Sequence, residues 1–309
     1  MKNKKGELTS SQIVTLVILI ISFSVILLFF LVFNFKSETE KEACRNSVIL
    51  RGATPLGKET VKLQCSTKEV CITKGKNCGY QTNEIEVLKV KNKDDLLNHL
   101  ADLMYDCWWQ MGEGKVNYAP SSWEGQYCVM CNVITIDDSI KNDNSLNKVT
   151  MSELFGKLAN KKVPGKSFNY LYYLYGFSSV GVALDAYEQV SGDSAAMKDV
   201  LSRGLDFTKF NKYALVTSVE SGASVSAVIG GTLSAAILTG LKGGAVCSTF
   251  APVAGTVVCA IGSGFIGGTA AFIISSSVKG TVFLPPAYLP YNDKALEELK
   301  CKKFVSLAA

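Results

Sequence analysis

The longest apolar stretch of the chain lies close to its N-terminus. Ile13 to Phe35, IVTLVILIISFSVILLFFLVFNF, contains no charged residue. At about 1.5 Å of rise per residue, a helix of this length covers the roughly 30 Å hydrocarbon core of a bilayer. The run passes into KSETEKEAC without the small-residue cleavage site of a secretory signal. The pattern predicts a single uncleaved transmembrane helix at 13–35 with a cytoplasmic N-terminus at 1–12; a buried core helix is the weaker alternative.

Polar and alternating positions follow this helix. Residues 36–60 are polar and mixed in charge, which predicts a stalk. Cysteines then recur in a loop-rich stretch, and Glu84–Val90 alternates as a strand does. Asn92 can cap a helix that begins at Lys93, because its apolar positions repeat at intervals of three and four.

Two further patterns indicate both secondary-structure types in the same domain. Tyr127–Ile136, YCVMCNVITI, is rich in β-forming residues and predicts a strand. Thr150 and Glu153 form a capping box that opens a helix at Met151–Asn160. We therefore expect a cysteine-bearing α+β ectodomain over residues 61–220.

The C-terminal part of the chain continues these patterns. Tyr213–Val219 predicts a buried strand, and Thr281–Leu289 predicts an edge strand because its two adjacent prolines cannot donate to a ladder. A final helix is expected at Asn292–Cys301. Residues 279–309 are therefore predicted to be a return strand and a C-terminal helix of the ectodomain.

The segment 221–278 interrupts the ectodomain and carries one charge, Lys242. Gly222–Leu241 and Val257–Val278 are each about long enough to span a bilayer, and we expect them to form a glycine-rich apolar helical hairpin. This hairpin lies either in the membrane or buried within the domain. Small residues that allow close helix packing recur every fourth position at Gly222, Ser226, Gly230, Ser234, Ala260, Gly264 and Gly268.

Ten cysteines are an even number and a high one for a protein kept in a reducing compartment. The Lys and Arg residues on the two sides of the anchor nearly balance, so the cysteines decide the orientation and place the domain outside the cytoplasm. This predicts a single-pass protein of the cell membrane. The disulfide or redox candidates are Cys65, Cys71, Cys78, Cys107, Cys128, Cys131, Cys247 and Cys259.

Cys128 and Cys131 form the sharpest motif, a C-x-x-C pair. On a strand, residues three apart point to opposite faces, so the two sulfurs meet only if a turn or bulge intervenes. Three interpretations stay open: structural disulfides to other cysteines, a redox pair, or a zinc site with Cys71 and Cys78.

Charge and the remaining motifs exclude several functions. The net charge of +5 is spread along the chain instead of forming a basic stripe, so nucleic acid is not an expected partner. His99 is the only histidine and falls off the apolar stripe of its helix, and a lone exposed histidine is far more often a surface residue than a catalytic base. The sequence predicts a non-enzymatic protein without a metal or cofactor.

Two short stretches resemble known groups of proteins. The run C-W-W-Q-M-G-E-G-K from Cys107, followed by Y-C-V-M-C, is similar to uncharacterised membrane-anchored ectodomain proteins with a helix end of this kind ahead of a C-x-x-C strand. The start KNKKGELTSS resembles type IV pilin-like precursors, which implies processing after Gly6. Neither resemblance implies an activity.

These observations favour an extracytoplasmic envelope protein with a structural or interaction role. Its expected partners are the lipid bilayer and either further copies of itself or other envelope proteins. One alternative is a membrane-active protein that perforates or fuses bilayers through 221–278. Another is a thiol-disulfide oxidoreductase that uses Cys128 and Cys131.

Overall fold

The structure is a computed structural model, and the chain divides into two compact units, Met1–Glu42 and Ala43–Ala309. It describes residues 10–32, 36–54, 57–75, 78–79, 85–120, 125–183, 185, 201–221, 246–248, 257–266, 269–278, 281–299, 301 and 303–306.

The first unit contains helix α1, Ser10–Val32, and the start of α2, Lys36–Ala53. Between Ile13 and Val25 the large apolar side chains of α1 are 47% to 62% exposed. Within the residues that the structure describes, no helix meets the length and hydropathy needed to cross a membrane. The anchor at 13–35 therefore stays a prediction.

The second unit is a mixed α+β domain, which confirms that part of the predicted fold class. Its helices are the end of α2, then α3 (Gly57–Thr60), α4 (Lys93–Gln110), α5 (Asp138–Lys141), α6 (Met151–Asn160), α7 (Tyr170–Tyr175) and α8 (Asp293–Glu298), with a 3-10 turn at Gly112–Gly114. Its strands are β1 (Lys68–Thr73), β2 (Glu86–Lys89), β3 (Gly125–Ile136), β4 (Lys148–Thr150), β5 (Gly204–Asp206), β6 (Lys212–Ser221), β7 (Val246–Ser248), β8 (Val257–Ile266), β9 (Thr269–Val278), β10 (Thr281–Pro290) and β11 (Lys303–Ser306).

A nine-stranded sheet organises the domain in the order β2-β1-β3-β6-β10-β9-β8-β7, with β11 also paired to β3. Strand β3 is central and pairs with β6 in antiparallel fashion along one side. Its other side carries β1 and β11, both parallel, at successive positions along the strand. Because β3 has neighbours on both sides, it is buried throughout Tyr127–Ile134.

Helix α4 packs on the sheet and supports α6 and α7. The Asn92 side chain accepts a hydrogen bond from the amide of Asp95, which caps α4 as its sequence predicted. The predicted apolar stripe of α4, including Leu100, is buried. From β10, the buried Tyr288 hydroxyl donates to the carbonyl of Leu100 at 2.6 Å. Strand and helix are thus joined by a polar contact inside the apolar core.

Several predicted elements are confirmed. The capping box at Thr150 and Glu153 is present with both of its hydrogen bonds and opens α6. The strands expected at 84–90, 127–136 and 213–219 are β2, β3 and β6, and a short helix, α8, follows Asn292.

The helical hairpin predicted at 221–278 is wrong over its second arm. Val257–Ile266 and Thr269–Val278 are antiparallel strands that extend the sheet from β10. Valine, isoleucine and phenylalanine make up nearly half of these two strands and favour strand structure. A small-residue repeat of four is also a multiple of two, so it fits one face of a strand as well as one face of a helix. The first arm, Gly222–Leu241, lies outside the described residues.

Other predictions also need correction. Thr281–Leu289 is not an edge strand, because β10 lies between β6 and β9. The register of β10 shifts between Leu284 and Ala287, and this irregularity accommodates the two prolines without ladder donors. The stalk at 36–60 is largely helical, and its Cys44 and Val48 belong to the core.

Candidate functional site

A cavity of about 440 Å³ opens where the parallel strands β1 and β3 end. Loops converge at the carboxyl ends of parallel strands, and ligands commonly bind there. The walls come from α5, from the turn before β6 and from the turn after β10. The lining residues that matter below are Asp137, Asp138, Lys141, Asn211, Lys212 and Tyr291.

Asp137 forms one fixed wall of the cavity. It follows β3 directly and is the N-cap of α5. Its Oδ2 accepts hydrogen bonds from the buried Thr73 hydroxyl at 3.0 Å, from the Ser139 amide at 3.1 Å and from the Ser139 hydroxyl. Burial raises the pKa of Asp137, but the hydrogen bonds outweigh burial and hold the pKa below its ordinary value. The carboxylate is therefore ionised and held in one orientation.

The loop after β1 forms the neighbouring rim. A disulfide joins Cys71 in β1 to Cys78, which lines the cavity. Between them lies Lys74, whose backbone amide donates a hydrogen bond to the Ser139 hydroxyl at 3.0 Å. The Lys74 ammonium forms an ion pair with Asp143 at 2.8 Å. A covalent bond, a hydrogen bond and an ion pair thus shape this rim before any ligand arrives.

The charges of the cavity balance each other. Two acidic residues, Asp137 and Asp138, and two basic residues, Lys141 and Lys212, line it. The Lys141 ammonium lies 2.7 Å from Asp138 and donates to the Asn211 side chain at 3.0 Å. The lining is polar but carries no net charge.

Two aromatic residues, Phe210 and Tyr291, line the cavity. Tyr291 is 43% exposed, although its amide is fixed by donation to the carbonyl of Lys212 at 2.9 Å. Phe210 also lines the cavity and packs edge-on against Tyr213. An exposed ring on a fixed backbone is suited to packing against an apolar face of a ligand.

The structure places most of the predicted cysteines in structural bonds. Among the described residues it contains the disulfides Cys44–Cys65, Cys71–Cys78, Cys107–Cys131 and Cys128–Cys301. Cys247 and Cys259 are opposite each other in the register of β7 and β8.

The C-x-x-C motif is neither a redox pair nor a zinc site. Cys128 is bonded to Cys301 and Cys131 to Cys107 on α4, so the two sulfurs belong to different disulfides. The zinc interpretation also fails, because Cys71 and Cys78 are bonded to each other. Over the described part of the chain, no group of three or more His, Cys, Asp and Glu side chains is placed to hold a metal.

The G-E-G-K motif forms a strained turn directly after α4, and its Glu113 side chain contacts α2. Gly112, Glu113 and Gly114 all have positive φ, with 60° at Glu113. Arg45 of α2 lies over the Trp109 ring at 4.5 Å and pairs with Glu113 at 3.0 Å. Burial raises the pKa of Glu113, but the hydrogen bond and charge of Lys115 and the charge of Arg45 outweigh burial and hold the pKa below its ordinary value.

The remaining predictions concern the small-residue stripe, His99 and Gly6. Ala260 and Gly264 lie in β8, while Gly268 and the first-arm residues of the small-residue stripe fall outside the described residues. The ring Nε2 of His99 lies 3.2 Å from the carbonyl of Lys89 at the end of β2. Gly6 also precedes the described residues.

The sequence predictions did not include two of the disulfide-bonded cysteines or the residues of the cavity. Cys44 and Cys301 are absent from the predicted disulfide candidates, yet each is half of a disulfide. Asp137 had a detectable signal, because an acidic residue and a serine directly after a strand are typical of a helix cap. No local sequence pattern indicates Tyr291, because only the tertiary fold brings this residue to the cavity.

Comparison of the chain with protein-family models, with curated proteins and with solved structures finds no match.

Proposed function

We propose that this chain is a membrane-anchored envelope protein whose disulfide-linked domain lies outside the cytoplasm and acts as a binding partner, not a catalyst. The observation that carries the proposal is the set of four disulfides among the described residues. Three of them link α2, α4 and Cys301, just ahead of β11, to the rest of the domain. Disulfides of this number form and persist in oxidising compartments.

The exposed apolar surface of α1 supports the anchor. Side chains such as Leu19 and Phe23 are 61% and 62% exposed. Soluble proteins rarely leave a continuous apolar surface of this kind in contact with water. Lipid covers such a helix without any polar partner, because its backbone hydrogen bonds are internal.

The far end of the sheet supports an interaction role. Among the described strands, β7 pairs with β8 alone, and β7 to β9 contain no charged residue. An unpaired strand edge without charges can accept a strand from another chain. Further copies of the protein or other envelope proteins are the proposed partners.

Two linked measurements test the anchor and the compartment. Membranes that contain the full chain should retain it through alkaline carbonate extraction. Lysine at Ile18, Ile20 and Phe23 together should release it, because each charge in mid-membrane costs about 3 kcal/mol and three of them offset the insertion energy of the apolar helix. Leucine at the same three positions is the matched control and should remain bound.

The second measurement uses a membrane-impermeant maleimide on sealed cells. We expect labelling of the cysteines only after a reductant has been added outside the cell. Release of the wild-type chain by carbonate, or labelling without reductant, would contradict the proposal.

A second candidate function is disruption of a target bilayer by the segment 221–278. The specific observation in its favour is that β8 and β9 form a hairpin without any charge, which lowers the cost of entering lipid. Dye-loaded liposomes should leak when the full chain is added, and Ile273→Lys should reduce the leakage while Ile273→Val does not. Intact liposomes at both acidic and neutral pH would exclude this function.

A further inference from the structure

We propose that the cavity at the ends of β1 and β3 binds a neutral saccharide. This inference goes beyond the proposed envelope role and does not depend on the anchor, because the cavity is formed wholly by the second unit. Its volume of about 440 Å³ lies within the usual range of ligand sites, about 300–1,000 Å³.

The charge balance of the cavity selects against an ionic ligand. Asp138 and Lys141 already form an ion pair at 2.7 Å, so an anion or a cation would have to compete with a charge of its own sign. A neutral ligand can instead hydrogen-bond to carboxylate, amide and ammonium groups together. Sugar hydroxyls donate and accept at once, so they can serve all three kinds of group.

The aromatic ring gives the second part of the argument. A pyranose has one face made of C–H groups. Moving this face out of water and onto an aromatic ring costs little desolvation free energy. Tyr291 lines the cavity and is 43% exposed, and Asp138 and Asn211 line the same cavity. The cavity therefore combines an apolar platform with hydrogen-bonding groups, the two features that a sugar requires.

The walls are held in place before binding. Thr73 and Ser139 fix Asp137, and the Cys71–Cys78 disulfide closes the rim. A rigid site loses little conformational entropy on binding, because its own side chains are already ordered. This favours a ligand whose hydroxyl hydrogen bonds each contribute little net binding free energy.

The test uses the full chain in lipid nanodiscs, prepared without glycoside detergent. It is applied to an array of neutral glycans ending in glucose, galactose, mannose or N-acetylglucosamine, beside sialylated and sulfated glycans and inorganic phosphate as competitor. We expect binding to at least one class of neutral glycan, and no loss of that binding in millimolar phosphate.

Two substitutions at one position separate stacking from folding. Tyr291→Ala should weaken binding of the best neutral glycan about tenfold, since it removes the ring, whereas Tyr291→Phe should leave it within about twofold. Retention of the disulfides in both variants, checked by mass spectrometry, shows that they are folded. Absence of binding to every neutral glycan, stronger binding of the anionic ones, or equal affinity of the two variants would overturn the inference.

Discussion

At the scale of single residues, the turn at Gly112–Gly114 contains the one non-glycine residue with positive φ among those that the structure describes. Three successive positive φ values are costly for residues with side chains, and only Glu113 has one. Its carboxylate is held by Arg45 and Lys115 on either side. The ion pairs offset the strain, which explains why a glutamate is tolerated between two glycines.

We predict opposite effects of alanine at two glycines. Gly112→Ala should lower the free energy of unfolding by about 1–2 kcal/mol, because φ is +78°, a conformation that strains any residue with a Cβ. Gly156→Ala, in the middle of α6 with nothing within 4 Å, should raise it by about 0.5–1 kcal/mol. Urea unfolding followed by tryptophan fluorescence measures both, and two changes of the same sign would contradict the assignment of strain.

Asp137 should make stability depend on pH. Its pKa in the folded chain lies below the ordinary value of 3.8, so its stabilising contribution is present above that value and is lost as the pH falls through the lowered pKa. The difference in unfolding free energy between the wild type and Asp137→Asn should therefore be largest near neutral pH and shrink in acid.

Ser139→Ala provides the control for this prediction. It removes one hydroxyl donor from Asp137 and should move the acid loss to higher pH, closer to the ordinary value. A difference between wild type and Asp137→Asn that does not change between neutral and acidic pH would show that the carboxylate is not held in its charged form.

At the scale of elements, the disulfides differ in the length of chain they close. Cys71–Cys78 spans 7 positions, whereas Cys128–Cys301 spans 173 and ties the chain ahead of β11 to the centre of the sheet. In the loop-entropy description, a longer closed loop removes more freedom from the unfolded chain.

We predict that the paired substitution Cys128→Ala with Cys301→Ala destabilises the domain by about 5 kcal/mol, against about 2.5 kcal/mol for Cys71→Ala with Cys78→Ala. Replacing both cysteines of a pair avoids leaving a reactive thiol. Thermal unfolding of each double variant measures the ranking, and an equal or reversed order would show that native contacts, not loop closure, decide their contributions.

The predictable elements are those whose signals are local. Asn92 and Thr150 cap helices through contacts three residues away, so their sequence was sufficient. Strand β1 was missed because K-E-V-C-I-T has a weak alternation and becomes a strand by pairing with β2 and β3 on its two sides. The segment 257–278 was assigned to helices because its four-residue repeat has two geometric solutions, and only pairing with β10 selects between them.

The cavity was not predictable for a related reason. Thr73, Asp137, Asn211 and Tyr291 come from four separate stretches, and sheet pairing brings them together. The cysteines were recognised by residue type, but their partners could not be derived from spacing. The sheet places Cys131 against α4 and Cys128 near Cys301, which separates the two members of the C-x-x-C motif.

At the scale of the whole molecule, we predict a fifth disulfide between Cys247 and Cys259. Directly opposed residues in antiparallel strands have Cα atoms about 4.5–5.5 Å apart, which is within the reach of a disulfide. Intact mass after iodoacetamide treatment of the unreduced, denatured protein should show no adduct. Adducts at both positions would contradict the pairing, and Cys247→Ser, which should expose one alkylatable thiol at Cys259, is the control.

The Cys128–Cys301 bond also constrains how the protein can be made. Cys128 leaves the ribosome 173 positions before its partner, so during synthesis it must wait as a thiol beside Cys131, whose own partner Cys107 has already emerged. Oxidation that runs ahead of translation would join the wrong neighbours. The central strand can form its native disulfide only after Cys301 has been synthesised, so we expect a thiol isomerase to raise the yield of correctly bonded protein.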